Sequence, residues 1–304
     1  MEQVLTVNAL TKTYGQSMAL DGFSMHIPKG AIYGFVGKNG SGKTTLIRLI
    51  CGLQIPTAGE YTLYGIQNSD KRITKARRRM GAVVETPSIY LDLSAEDNLK
   101  VQYRVLGLPT YEGIPELLHL VGLSDTGNKK AKQFSLGMRQ RLGIAVTLCG
   151  NPDFLVLDEP VNGLDPQGII QIRELILKLN QEQGVTVLIS SHILDELSRL
   201  ATHYGFIDSG HMIREMSAKE LEEACRKCVR VEVSNMKALV LLLDQMGYEY
   251  QIQSNTTADI YGEIKVSCLE SRLAGEGCEL LSMLERDESL ESFYMNLVGG
   301  GGCA

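Results

Sequence analysis

The chain has 304 residues, a length of about two ordinary domains, and its 44% apolar and 22% charged residues exclude a disordered or fibrous class. The formal charge is −6, and residues 216–304 carry 8 Lys and Arg against 15 Asp and Glu, a poor match for a nucleic-acid surface. Trp is absent and aromatics are only 6%, which argues against a base-stacking platform as well.

In chain order, Met1-Glu2-Gln3-Val4 lacks the basic and apolar regions of an export signal. Residues 5–27 alternate between apolar and polar and are interrupted by Gly15 and Gly22, which predicts short antiparallel strands. Residues 31–36 form a buried-type apolar run leading into a glycine-rich turn, and 45–51 continue at helical spacing. Strands are expected at 60–64 and 81–84. Ser94 followed by Asp97 resembles a capping box, and helical spacing then runs through Leu106, over 114–121 and over 136–148, a helical insertion of about 90–148. Strands at 154–157, 185–190 and 204–207 alternate with helices at about 167–181 and 194–200, the pattern of a parallel sheet covered on both faces.

Residues 208–211 read as a turn, and the chain changes character after it. Strands at 229–233, 249–253, 260–266 and 279–284, with helices at 236–246 and 288–297, give a β-α-β-β-(α)-β order and a small α+β sandwich. Gly299–Gly302 is expected to be a flexible tail. The longest apolar run, 238–243, is six residues against the roughly 20 that cross a bilayer, so no membrane span is expected. The seven scattered cysteines suit a reducing cytosol, and Cys225-x-x-Cys228, with no second pair, reads as two ordinary thiols.

Chemistry concentrates in three places. Gly37-Lys38-Asn39-Gly40-Ser41-Gly42-Lys43-Thr44 fits G-x-x-x-x-G-K-[ST] between a strand and a helix, the context that motif requires. Its glycines let backbone amides converge on an anion, Lys43 adds a point charge for the β- and γ-phosphates, and Thr44 offers a hydroxyl to Mg²⁺. Residues 154–157 then deliver Asp158 and Glu159 to the carboxyl end of a buried strand, where open α/β sheets bind ligands. Asp158 would hold Mg²⁺ and Glu159 would orient the attacking water. Ser135 and Gly137 stand at a helix start, where an ordinary N-cap and a phosphate contact are both open readings.

Together these motifs resemble the ATP-binding subunit of an ABC transporter over about residues 3–215, with Gly163-Leu164-Asp165 and His192 in that family's order. The resemblance implies a P-loop NTPase core at 1–215 with an antiparallel β subdomain and the helical insertion, followed by an accessory α+β domain at 216–304. It further implies that Tyr14, 23 residues before Gly37, stacks on adenine, although alone it would be a half-buried strand residue. Thr45 joins the nucleotide-binding loop, His192 contacts the γ-phosphate, and Asp165 belongs to the nucleotide site. Two departures stand out. Leu136 and Met138 replace Gly and Gln of the usual Leu-Ser-Gly-Gly-Gln signature, and Glu85 replaces a glutamine that reaches the metal and the attacking water. Both resemble the bacterial subgroup that exports bacitracin-type and lantibiotic peptides. Glu85 is either a metal ligand or a side chain in solvent.

The implied function is hydrolysis of ATP, with Mg²⁺, to power a membrane-embedded permease in a separate chain from the cytoplasmic face of the membrane. A second copy of the chain would complete a nucleotide-sandwich dimer, with Ser135 and Gly137 of one copy closing over ATP on the other. A chromosome-structural ATPase would place a long coiled coil between the phosphate loop and the signature, whereas only 91 residues lie between Lys43 and Ser135. A ribosome-acting ATPase would usually carry two heads and a basic linker. The carboxyl domain has no motif of its own and reads as dimer-stabilising or regulatory.

Overall fold

The computed structural model describes residues 2–299 apart from 226, 263, 265 and 287–289. The chain divides into two compact units, Met1–Ala218 and Lys219–Ala304.

The first unit opens with two long strands, β1 (Gln3–Tyr14) and β2 (Ser17–Pro28), paired antiparallel around the turn at Gly15. Gly22 does not end β2. It sits inside the strand at a φ of 57°, so the expected break is an irregularity that the ladder absorbs. Next come β3 (Ile32–Val36), α1 (Lys43–Ile50), β4 (Ala58–Leu63), the two-residue β5 (Ile66–Gln67), α2 (Ile73–Arg77) and β6 (Met80–Val83). The helical insertion is α3 (Ala95–Leu106), α4 (Ile114–Leu120) and α5 (Leu136–Leu148). The unit closes with β7 (Phe154–Asp158), α6 (Pro166–Gln183), β8 (Thr186–Ser191), α7 (Leu194–Ser198), β9 (His203–Asp208) and β10 (His211–Ser217).

Two sheets result. One is antiparallel in the order β2-β1-β4-β5; the other runs β10-β9-β3-β8-β7-β6 and is parallel except for the β10 edge. Every residue of β3 and of β7 is buried, which is why both strands read as unbroken apolar runs. Leu46, Ile47, Leu49 and Ile50 of α1 join Leu5, Phe23, Phe35, Phe154 and Leu188 in one core, so α1 is packed between the sheets. Phe23 of β2 and Phe35 of β3 meet edge-on across that layer, with ring centroids 5.8 Å apart. The helix that begins at Lys43 is thereby fixed by burial rather than by propensity.

The expected turn at 208–211 is the two-residue hairpin joining β9 to β10. Asp208 pairs with His211, while Ser209 and Gly210 take φ values of 47° and 82°, the primed-turn geometry that matches strand twist. β10 therefore runs through the boundary expected between 215 and 216 and adds an edge strand to the first unit's sheet.

α8 (Ala218–Ala224) begins where the first unit ends. The second unit continues with β11 (Cys228–Val233), α9 (Met236–Met246), β12 (Glu249–Ile252), β13 (Thr257–Tyr261), α10 (Val266–Gly275), β14 (Leu280–Arg286) and α11 (Leu290–Gly299). The sheet order β12-β13-β11-β14, antiparallel throughout, is that of a split β-α-β pair. Val229, Val231 and Val233 pack with Leu239, Leu243, Leu269 and Leu273 into a separate core. The strand expected at 260–266 instead ends at Tyr261, where Gly262 takes a φ of 106°, and a helix follows. Gly300–Gly302 of the expected tail lie outside the described residues. No helix among the described residues is long and apolar enough to cross a membrane.

Candidate active site

Strands β3, β6, β7, β8 and β9 run the same way, so their carboxyl ends share one edge of the sheet. β3 feeds the 37–44 loop, β7 delivers Asp158 and Glu159, and β8 leads to His192. Register aligns them: Val36 pairs with Ser191, and Asp158 with Ser190.

The loop has a backbone that only glycine adopts cheaply. Gly42 holds a φ of 112°, and a Cβ at Gly37 would stand 2.5 Å from Ser41 Oγ and 2.6 Å from Ile207 Cγ2. Lys43, 5% exposed, donates from Nζ to the carbonyls of Gly37 at 2.6 Å and Lys38 at 3.1 Å, bridging the loop from within. Ser41 Oγ is buried and makes no hydrogen bond. A buried cation beside an unpartnered hydroxyl, in a loop tightened by glycine, fits a polyphosphate. Thr44 and Thr45 are the second and third residues of α1.

Glu159 gathers the catalytic candidates. Its Oε1 lies 3.3 Å from Lys43 Nζ, and its Oε2 lies 2.6 Å from His192 Nδ1. Its backbone φ of 50° is a left-handed conformation that costs a non-glycine residue about 1 kcal/mol or more. Ser190 supports that geometry: its Oγ accepts from the Glu159 amide at 2.9 Å and donates to Asp158 Oδ1 at 2.7 Å. Asp158 is buried, leaving its second carboxylate oxygen for a further partner. Ser190 was not singled out from the sequence. Its place beside Asp158 depends on β7–β8 register, which no local pattern reveals.

Glu85 follows β6, the strand beside β7, and it too is left-handed, with a φ of 61°. Its carboxylate pairs with Arg48 Nη2 of α1 at 2.5 Å and remains 54% exposed. Arg48 is a second residue that sequence reasoning passed over, since a basic residue in a helix's last turn ordinarily serves the helix dipole.

The remaining candidates make their contacts elsewhere. Tyr14 ends β1, its ring 5.1 Å from Lys12 Nζ and its hydroxyl donating to Gln54 Oε1. Ser135 caps α5, its Oγ accepting from the Met138 amide at 3.3 Å. A Cβ at Gly137 would rest against Leu164 and Gly168 at 3.8 and 3.9 Å, so the signature borders the start of α6. Asp165 caps α6 by accepting from the Gly168 amide at 3.1 Å. Burial pushes the Cys51 thiol, just after α1, up to about 12, which keeps it neutral beneath the site.

A family profile described as ABC transporter matches residues 20–162. The bacitracin transport ATP-binding protein BcrA of Bacillus licheniformis is 36% identical over 304 residues, covering 99% of both chains. The lantibiotic transport ATP-binding protein SrtF of Streptococcus pyogenes is 43% identical over 223 residues, covering 72% of this chain and 95% of that protein. Among solved structures, a dimeric post-hydrolysis ATP-binding cassette bound to ADP and Pi superimposes with a TM-score of 0.64 at 28% identity, covering 70% of this chain and 98% of that one. The loop bridged by Lys43, the paired carboxylates at the end of β7 and these relatives lead to one assignment: the chain belongs to the ABC transporter family, as an ATP-binding subunit that hydrolyses ATP.

Proposed function

We propose that this ATPase powers a membrane permease carried on a separate chain, working from the cytoplasmic face of the membrane to export a peptide antibiotic or similar compound. The support for cargo is that two relatives matching nearly all of its length are named for bacitracin transport, and one matching 72% of it for lantibiotic transport.

The observation that carries the mechanism is the contact chain from Lys43 through Glu159 to His192. Lys43 would exchange its two loop carbonyls for the β- and γ-phosphates. Glu159 would polarise the attacking water, and His192 would turn toward the terminal phosphate. Gly37–Thr44 and Thr45 would hold the phosphates, Tyr14 would stack on adenine, and Asp165 would line the site. Thr44, Asp158 and Glu85 would supply oxygen donors of the kind that suit Mg²⁺, which would neutralise phosphate charge when bound. Ser135 and Gly137 of a second copy would close over the nucleotide, in keeping with the dimeric form of the similar cassette. The first unit, carried past the expected 215 to the end of β10, would then be the nucleotide-binding domain, and the rest of the chain an accessory domain that stabilises the dimer or regulates it.

The test is to copurify the chain with its permease, reconstitute both in vesicles and measure ATPase with and without added peptide antibiotics. Peptide-stimulated hydrolysis is the expected result. A reconstituted complex that hydrolyses ATP yet ignores such peptides would overturn the cargo assignment.

A further inference from the structure

Glu196 is the third residue of α7, a position from which a glutamate ordinarily reaches back to the N-cap amide or points into solvent. Neither happens. The amide of the N-cap residue, Ile193, already donates to Ser191 Oγ at 2.9 Å. Glu196 Oε2 is buried and has no hydrogen-bond partner. It faces a small enclosed cavity of about 10 Å³ that Val161, Ile189, Ser191 and Arg173 also line. Val161 lies two residues after Glu159, and Ser191 immediately precedes His192, so this carboxyl sits against the segments that carry the Glu159–His192 pair. Burial raises the Glu196 carboxyl above the usual range; His192 opposes that shift and Glu159 adds to it. The charged groups around it are thus His192, Glu159, Arg173 across the cavity on α6, and Asp195 on its own helix.

A buried carboxylate oxygen without a partner, on a side chain that is otherwise half-buried, is costly, and proteins retain such atoms where another state supplies the partner. His192 has two ring nitrogens, and which one carries a proton depends on what the other meets. Here Nδ1 is committed to Glu159. If His192 releases Glu159 to face the terminal phosphate, Nδ1 needs another acceptor. We propose that Glu196 is a positioning residue of the hydrolytic site, the second carboxylate that takes over His192 when the imidazole leaves Glu159. This rests on the reading above in which His192 contacts the terminal phosphate.

The test compares Glu196→Gln, Glu196→Asp and His192→Ala in the full chain, by ATPase kinetics and by NMR titration of the imidazoles. The chain has five histidines, and His192→Ala identifies the signal of interest. The expected result is a roughly tenfold or larger fall in kcat for Glu196→Gln with KM for ATP little changed, and a His192 titration moved to lower pH. Glu196→Asp, which keeps the charge, should recover part of both. Glu196→Gln with normal kcat and an unmoved His192 titration overturns the proposal while His192→Ala remains inactive. Equal losses in Glu196→Gln and Glu196→Asp with no change in the titration also overturn it, because they indicate packing alone. Full turnover by His192→Ala overturns the underlying reading of His192, and this proposal with it.

Discussion

Glu159 divides one carboxylate between a lysine and a histidine, and that arrangement predicts different failures for different substitutions. In Glu159→Gln the amide keeps the shape but loses the charge that would orient water, so turnover should fall by about 10²–10⁴-fold. Nucleotide should still bind, and an ATP-bound dimer should accumulate on a sizing column; near-normal turnover would remove Glu159 from catalysis. Lys43→Ala should instead weaken ATP binding itself, measured by direct titration, because the buried cation is what the phosphates would displace from the loop carbonyls. Glu85 poses the sharper case. Its ion pair with Arg48 is solvent-exposed, and exposed pairs are worth only about 0–1 kcal/mol, so the carboxylate can change partners readily. Brought beside a phosphate it would meet repulsion of about 4 kcal/mol at ~4 Å and an effective dielectric of ~20, which a divalent cation between them would offset. Glu85→Gln should therefore hydrolyse ATP with a lower Mg²⁺ requirement. Superimposable Mg²⁺ titrations of the two proteins would sink that role.

Among the elements, α3 shows how far a local signal can be trusted. Ser94 Oγ accepts from the Asp97 amide at 3.1 Å and donates to the Asp97 carboxylate at 2.7 Å, while Gly107 closes the helix in the left-handed form. Ser94→Ala should cost about 1 kcal/mol of unfolding free energy, read by chemical denaturation, and leave ATP binding intact. Caps of this kind, the apolar runs of β3 and β7 and the strand–loop–helix around Lys43 were legible because each is encoded within a dozen residues. What was not legible is decided by tertiary neighbours. β10 carries Arg214 and Glu215 and an irregular polar pattern, and becomes a strand only because β9 offers it an edge. The stretch 260–266 has strand-like composition, yet the chain turns at Gly262 and Val266 opens a helix that buries Leu269 and Leu273. The same division holds at the site. Lys43, Asp158 and Glu159 announce themselves by motif, whereas Ser190 and Arg48 are joined to them or to Glu85 by contacts that register and helix packing create.

The first unit as a whole is welded by buried and half-buried tyrosines, and these set its response to alkali. Tyr33 of β3 donates to Glu215 Oε1 of β10 at 2.6 Å, and Glu215 in turn accepts from the His26 amide of β2 at 2.8 Å, so one carboxylate ties three strands from two sheets. Tyr61 of β4 donates to the Leu49 carbonyl of α1 at 3.0 Å, and Tyr64 donates to Asp153. Burial is the leading cause that raises all three phenols above their ordinary value, reinforced at Tyr33 by Glu215 and at Tyr64 by Asp153, and opposed at Tyr61 by Arg77. A raised folded value means that the native protein keeps these protons when the unfolded chain has lost them. Below a pH of about 10 both states are protonated and the shift contributes nothing; above it the unfolded state binds fewer protons, and stability falls as pH rises. Each such group adds a slope of up to about 1.4 kcal/mol per pH unit. Tyr33→Phe should lower stability near neutrality, because Glu215 loses a donor, yet decline less steeply between pH 10 and 11 than the wild type. Urea unfolding at several pH values distinguishes the two effects: a parallel offset with unchanged slope would show that Tyr33 binds Glu215 without governing the alkaline limb, which would then belong to Tyr61 and Tyr64.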